Sequence, residues 1–153
     1  MTAACLAAQI LAAKAEGLTL LGGEPLDQAV ELHAMLKQLR DSGYHGIIMF
    51  SGYQWETISS DPEKFRIAEL CDLVIAGPFE PTMAPGNRRW IGSDNQTLHF
   101  ITDFYDNLRC NWPKFRREIE IFIKDGIIMV NGTPLGPEHE FARLVVRQNG
   151  VKD

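Results

Sequence analysis

The 153 residues, 17.2 kDa, 45% hydrophobic and 23% charged, make one ordinary domain, able to bury about 70% of its unfolded surface without help from disulfides. Fifteen Lys and Arg against twenty Asp and Glu give a net charge of -5, which argues against nucleic-acid binding by counterion release and against a polybasic membrane surface. No stretch approaches the roughly 20 apolar residues of a membrane span, and Gln9, Lys14 and Glu16 interrupt the Ala- and Leu-rich start, so no membrane partner and a cytoplasmic location are expected.

Thr2 to Glu16 is rich in strong helix formers and runs to Gly17, which predicts a first helix closed by a glycine. Leu18-Thr19-Leu20-Leu21 before Gly22-Gly23 reads as a buried strand meeting a tight turn. Pro25 opens the next helix, and Leu26, Ala29, Val30, Leu32, His33, Leu36 and Leu39 recur at helical spacing up to Ser42-Gly43. Gly46 to Ser51 is the second strand. Asp61-Pro62 supplies an N-cap and first-turn proline for a helix to about Leu70, and Asp72 to Ala76 is the third strand.

Short apolar strands alternating with amphipathic helices predict a parallel sheet covered by helices. Pro78, Pro81, Pro85 and Gly86 exclude helix and central strand from Gly77 to Gly92, leaving a long loop, and Thr97 to Ile101 is a candidate strand. Ile119, Ile121 and Ile123 alternate before Asp125-Gly126 and the run Ile127 to Val130, which predicts a β-hairpin over Glu118 to Val130 with its isoleucines on one packed face. Pro137 starts a last helix, with acidic residues early, Arg143 and Arg147 late and Gly150 beyond it.

Ligands of parallel α/β folds bind beyond the carboxyl ends of the strands. Three such ends carry marked residues: Gly22-Gly23-Glu24, Ser51-Gly52-Tyr53 and Gly77-Pro78-Phe79-Glu80. Adjacent glycines admit a ligand close to the backbone, and Glu24 offers a carboxylate to an ammonium; the same pair also serves as a plain turn.

These residues resemble a family. Leu20-Leu21-Gly22-Gly23-Glu24-Pro25-Leu26 is similar to the strand-end motif of radical S-adenosylmethionine enzymes. Phe50-Ser51-Gly52-Tyr53-Gln54-Trp55-Glu56, Cys71 to Glu80 and Ile91-Gly92-Ser93-Asp94-Asn95-Gln96 follow in the order of the anaerobic ribonucleotide reductase activating proteins. The resemblance covers about Thr2 to Phe100. It implies a partial parallel (β/α) barrel-like sheet over residues 1–108, with 109–153 as an appended hairpin and helix packed on the same domain.

It also implies reductive cleavage of S-adenosylmethionine to generate a glycyl radical in a reductase partner. The methionine amino group would lie at Gly22, Gly23 and Glu24, with Ser51 and Gly52 nearby and Asn95 and Gln96 in a further contact. No residue is assigned a catalytic role. Asn95 and Gln96 also read as a polar loop satisfying its own backbone.

The chain departs from the family in its cysteines. The family's four-iron four-sulfur cluster is held by a CxxxCxxC loop, whereas Cys5, Cys71 and Cys110 lie 66 and 39 positions apart. The chain starts inside the helix expected after that loop, so S-adenosylmethionine would bind weakly, and Cys5 reads as a small core residue. His33, His45, His99 and His139 have no metal-ligand spacing, Arg88-Arg89 reads as a solvated pair, and Trp55 and Trp90 as core. Two functions remain open: an activating enzyme of this family, or a non-catalytic binding or interaction protein that keeps the α/β scaffold.

Overall fold

The computed structural model describes residues 2–83, 90–112, 119–124 and 127–132. Among them no helix is long and apolar enough to cross a membrane. They fall into two compact units, residues 2–83 with 91–112, and Trp90 with 119–124 and 127–132.

In the first unit the Thr2 hydroxyl caps α1 (Ala3–Ala13) by accepting from the Cys5 N–H at 3.3 Å. The helix stops four residues before the glycine that composition pointed to, with Lys14 left-handed at φ 52°. Gly17 is used differently: it lets β1 (Leu18–Leu20) start against the Gly46 carbonyl, which accepts from Leu18 N–H at 3.0 Å. Glu24 caps the 3₁₀ turn Pro25–Gln28, which leads into α2 (Ala29–Asp41). Then come β2 (Ile47–Ser51), α3 (Trp55–Ser60), α4 (Pro62–Ala68) and β3 (Leu73–Ala76). Asp61 accepts from Glu63 N–H and Lys64 N–H, so the Asp-Pro signal marks the start of α4. The short α3, which no periodicity announced, precedes it.

β1, β2 and β3 are parallel neighbours, with Leu20 beside Met49 and Met49 beside Val74. β4 (Thr97–Phe100) pairs antiparallel with β3, so the sheet is mixed rather than wholly parallel. Among the described residues between β3 and β4 there is no crossover helix of the kind a parallel neighbour requires.

Ile47, Met49, Val74 and Ala76 point to one side and pack with Ala7, Leu36, Leu39, Ile58 and Ile67 of the helices. Ile48, Leu73 and Ile75 on the other side are buried too. Burial on both faces is why β2 and β3 read as continuous apolar runs. A 3₁₀ turn (Asp103–Tyr105) leads to α5 (Asp106–Asn111), and Trp112 beyond it meets Phe100 edge-on at 5.9 Å.

At the amino end of the sheet, buried Asp72 gathers three elements. Its Oδ2 accepts from Ile47 N–H at 2.8 Å; its Oδ1 accepts from the Thr102 hydroxyl at 2.5 Å and pairs with Arg40 of α2 at 2.9 Å.

Two sequence expectations about packing are corrected. Cys5 is exposed, because α1 turns Ala3, Leu6, Ala7, Ile10 and Leu11 toward the core and Cys5 falls off that stripe. Trp55 does pack against the core, stacked on His99 at 3.9 Å, but Trp90 is exposed.

In the second unit β5 (Ile119–Lys124) and β6 (Ile127–Gly132) pair antiparallel, with Lys124 opposite Ile127. Ile121, Phe122, Ile123, Ile127 and Met129 are all exposed. The Asp125-Gly126 turn, the helix expected from Pro137, His139 and Arg88-Arg89 lie outside the described residues.

Candidate functional site

Because β1, β2 and β3 are parallel, Gly22-Gly23-Glu24, Gly52-Tyr53 and Gly77-Pro78 follow the same end of the sheet. Gly22 (φ 83°) and Gly23 (φ 54°) are left-handed, and nothing lies within 4 Å of where a Cβ would stand on either. That backbone is open to close approach. A groove of about 410 Å³ adjoins it between α1 and α2, lined by Leu6, Leu20, Leu21, Gly22, Leu32 and Met35 among others.

Glu24 ties the first two strand ends together. Its Oε1 accepts from Leu26 N–H at 3.1 Å and from the Ser51 hydroxyl at 2.9 Å, and its Oε2 accepts from Gly52 N–H at 2.8 Å. Two donors fill Oε1, while Oε2 keeps a lone pair for a further donor. The carboxylate is thus fixed in direction and still able to receive an ammonium. Ser51 is buried, and its hydroxyl donates its one proton to Glu24 and accepts from Tyr53 N–H at 3.1 Å. It acts on the site through Glu24.

Asn95 and Gln96 brace the third strand end. Gln96 Nε2 donates to Gly77 C=O at 3.0 Å and its Oε1 accepts from Gly92 N–H at 2.8 Å, while Asn95 Nδ2 donates to Pro78 C=O at 2.7 Å. Buried Ser93 joins them by accepting from Glu80 N–H at 3.0 Å. Asn95 Oδ1 is buried with no hydrogen-bond partner among the described residues and so keeps acceptor capacity. These side chains thus hold backbone groups of Gly77, Pro78 and Gly92.

The sequence singled out neither Asp27 nor Lys64, and Tyr53 only as a letter of a motif. The Tyr53 hydroxyl donates to Asp27 Oδ1 at 2.7 Å, and Lys64 Nζ lies 5.1 Å from the centre of its ring. The hydrogen bond to Asp27, and the charge behind it, push the Tyr53 phenol above its ordinary pKa. Residues 26 apart carry no local signal of such a contact.

The cysteines do not fit a cluster. Cys5 is exposed on α1, Cys110 is exposed on α5, and Cys71 is buried at the amino end of β3, opposite the Glu24 end. Among the described residues no group of three or more His, Cys, Asp or Glu side chains has the geometry to hold a metal. A four-iron cluster needs converging thiolates, whereas burial pushes the Cys71 thiol up to about 12. In the folded protein at pH 8, iodoacetamide is expected to alkylate Cys5 and Cys110 and spare Cys71, with all three modified in denaturant. Peptide mass spectrometry reads this directly, and rapid folded-state labelling of Cys71 would contradict it.

Residues 2–99 match the model of a family described as a 4Fe-4S single cluster domain. The chain is 30% identical over 94 residues to the anaerobic ribonucleoside-triphosphate reductase-activating protein of Pasteurella multocida (strain Pm70), covering 60% of each chain. It is 31% identical over 91 residues to the protein of the same name from Enterobacteria phage T4, covering 58% of this chain and 55% of the relative. It thus spans a little over half the length of the curated relatives it matches. No solved structure matches the chain.

Proposed function

The chain belongs to the 4Fe-4S single cluster domain family, and from that premise we propose that it serves the activation of an anaerobic ribonucleotide reductase by binding the methionine half of S-adenosylmethionine. The activity of the whole protein would be reductive cleavage of that molecule and formation of a glycyl radical in the reductase partner. These residues would bind and orient. Gly22 and Gly23 offer open backbone, Glu24 accepts the ammonium on Oε2, Ser51 and Gly52 hold Glu24, and Asn95 and Gln96 shape the neighbouring loop. Residues 1–108 would form the barrel-like scaffold and 109–153 the addition to it.

The observation that carries this reading is the Glu24 carboxylate, fixed by Ser51 and Gly52 beside two left-handed glycines with empty space around them. The dispersed cysteines favour a second reading for these residues alone, a non-catalytic binding protein on the same scaffold.

Calorimetry with S-adenosylmethionine and with L-methionine tests the site. One charge-assisted contact of about 1.5–3 kcal/mol and a few neutral ones support a dissociation constant near millimolar. Glu24→Gln keeps the shape and removes the charge, so binding should weaken about 10- to 100-fold. Equal affinity of the two proteins would remove Glu24 from the role.

A further inference from the structure

Tyr53 touches the segments that follow all three parallel strands. Its hydroxyl donates to Asp27 in the turn after Glu24, its N–H donates to Ser51 Oγ, and its C=O accepts from Gly77 N–H at 2.8 Å. The ring is steadied by Lys64, which is itself held by Asp61 at 2.5 Å. Asp27 stands three residues beyond Glu24, and Tyr53 stands one beyond Gly52. The turn after β1 and the end of β2 are therefore joined twice, by Glu24 to Ser51 and Gly52, and by Asp27 to Tyr53.

We propose that Tyr53 and Asp27 are positioning residues for Glu24, their hydrogen bond setting the separation at which the Glu24 carboxylate meets Ser51 and Gly52. The proposal deepens the reading of Glu24 as ammonium acceptor and rests on it. A carboxylate that spans two strand ends alone can swing about its side-chain torsions as the ends shear. A second tie three residues away removes that freedom, so the acceptor is in place before the ligand arrives. The Tyr53 hydroxyl is tied up with Asp27 and acts on the ligand only through Glu24.

The test compares wild type, Glu24→Gln, Tyr53→Phe, the double variant and Asp27→Asn, titrated calorimetrically with S-adenosylmethionine. Amide hydrogen exchange of Gly52, whose N–H Glu24 accepts, is followed without ligand. Tyr53→Phe is expected to weaken binding about three- to tenfold, less than the full worth of a hydrogen bond to a carboxylate because the loss reaches the ligand only through Glu24, and to speed Gly52 exchange while leaving Phe65 in α4 unchanged. Asp27→Asn, which keeps an Oδ1 acceptor, should bind close to wild type. The double variant should be no weaker than Glu24→Gln alone, because Tyr53 acts through the charge already removed.

Tyr53→Phe binding as tightly as wild type with Gly52 exchange unmoved, while Glu24→Gln weakens, would overturn the proposal. Losses that multiply in the double variant would also overturn it. If wild type binds nothing and Glu24→Gln changes nothing, the ammonium-acceptor reading fails; accelerated Gly52 exchange in Tyr53→Phe would still uphold the tie, and unchanged exchange would end it too.

Discussion

Asp72→Ala is expected to destabilise the protein by about 3–5 kcal/mol, the usual cost of removing one partner from a buried ion pair. Asp72 is fully buried, and the Arg40 side chain is only 15% exposed. Arg40 keeps hydrogen bonds from Nε to Leu70 C=O and from a terminal nitrogen to Tyr44 C=O, so it stays in place when its counter-charge is lost. The alanine would also orphan Ile47 N–H at the start of β2 and the Thr102 hydroxyl after β4. Urea unfolding should show a lower midpoint at unchanged slope, and a loss below about 1 kcal/mol would contradict the assignment.

The same carboxylate sets an acid limit. Burial by itself raises its pKa, but the Arg40, Thr102 and Ile47 donors outweigh burial and hold it below the ordinary 3.8. A folded pKa below the unfolded one means that the group contributes stability above 3.8, and that this contribution is lost as pH falls through the lower folded value. Asp72→Asn should flatten that part of the acid unfolding curve while costing less at pH 7 than alanine. An unchanged acid slope would show that other carboxylates dominate.

Gly46→Ala should cost about 3 kcal/mol or more, from two sources that can be separated. Gly46 has φ +79°, and a Cβ there would lie 2.8 Å from the Glu16 carbonyl oxygen and 3.1 Å from Gly17 Cα. The left-handed backbone alone costs a side chain about 1–2 kcal/mol. The remainder is steric: neither contact is a flexible side-chain tip, so β1 must shift and its Leu18 N–H···O=C Gly46 bond must lengthen. Gly43 has a similar φ of +75° with nothing within 4 Å of a Cβ, so Gly43→Ala should show the conformational part only. Equal losses at the two glycines, read by urea unfolding, would remove the steric contribution and with it the account of how β1 meets β2.

The sequence carries the order of β1, β2 and β3, and of α2 and α4 between them, in local signals, while α3 has none. Apolar runs of strand length, the Asp61-Pro62 cap and the helical spacing of Leu32, Leu36 and Leu39 each report on a few neighbouring residues. It also marked Gly22, Gly23 and Glu24, since a glycine pair and an acid after a strand are adjacent in the chain. That β4 runs antiparallel, that Cys5 faces outward, and that the polar partners of Glu24 include Ser51 and Gly52, 27 and 28 residues away, follow from long-range packing. The Asp27–Tyr53 and Asp72–Arg40–Thr102 contacts belong with these. The physical reason is common to all of them. Periodicity tells which side of an element is apolar, whereas the partner of a polar group at a strand end depends on which other end the packed sheet brings beside it.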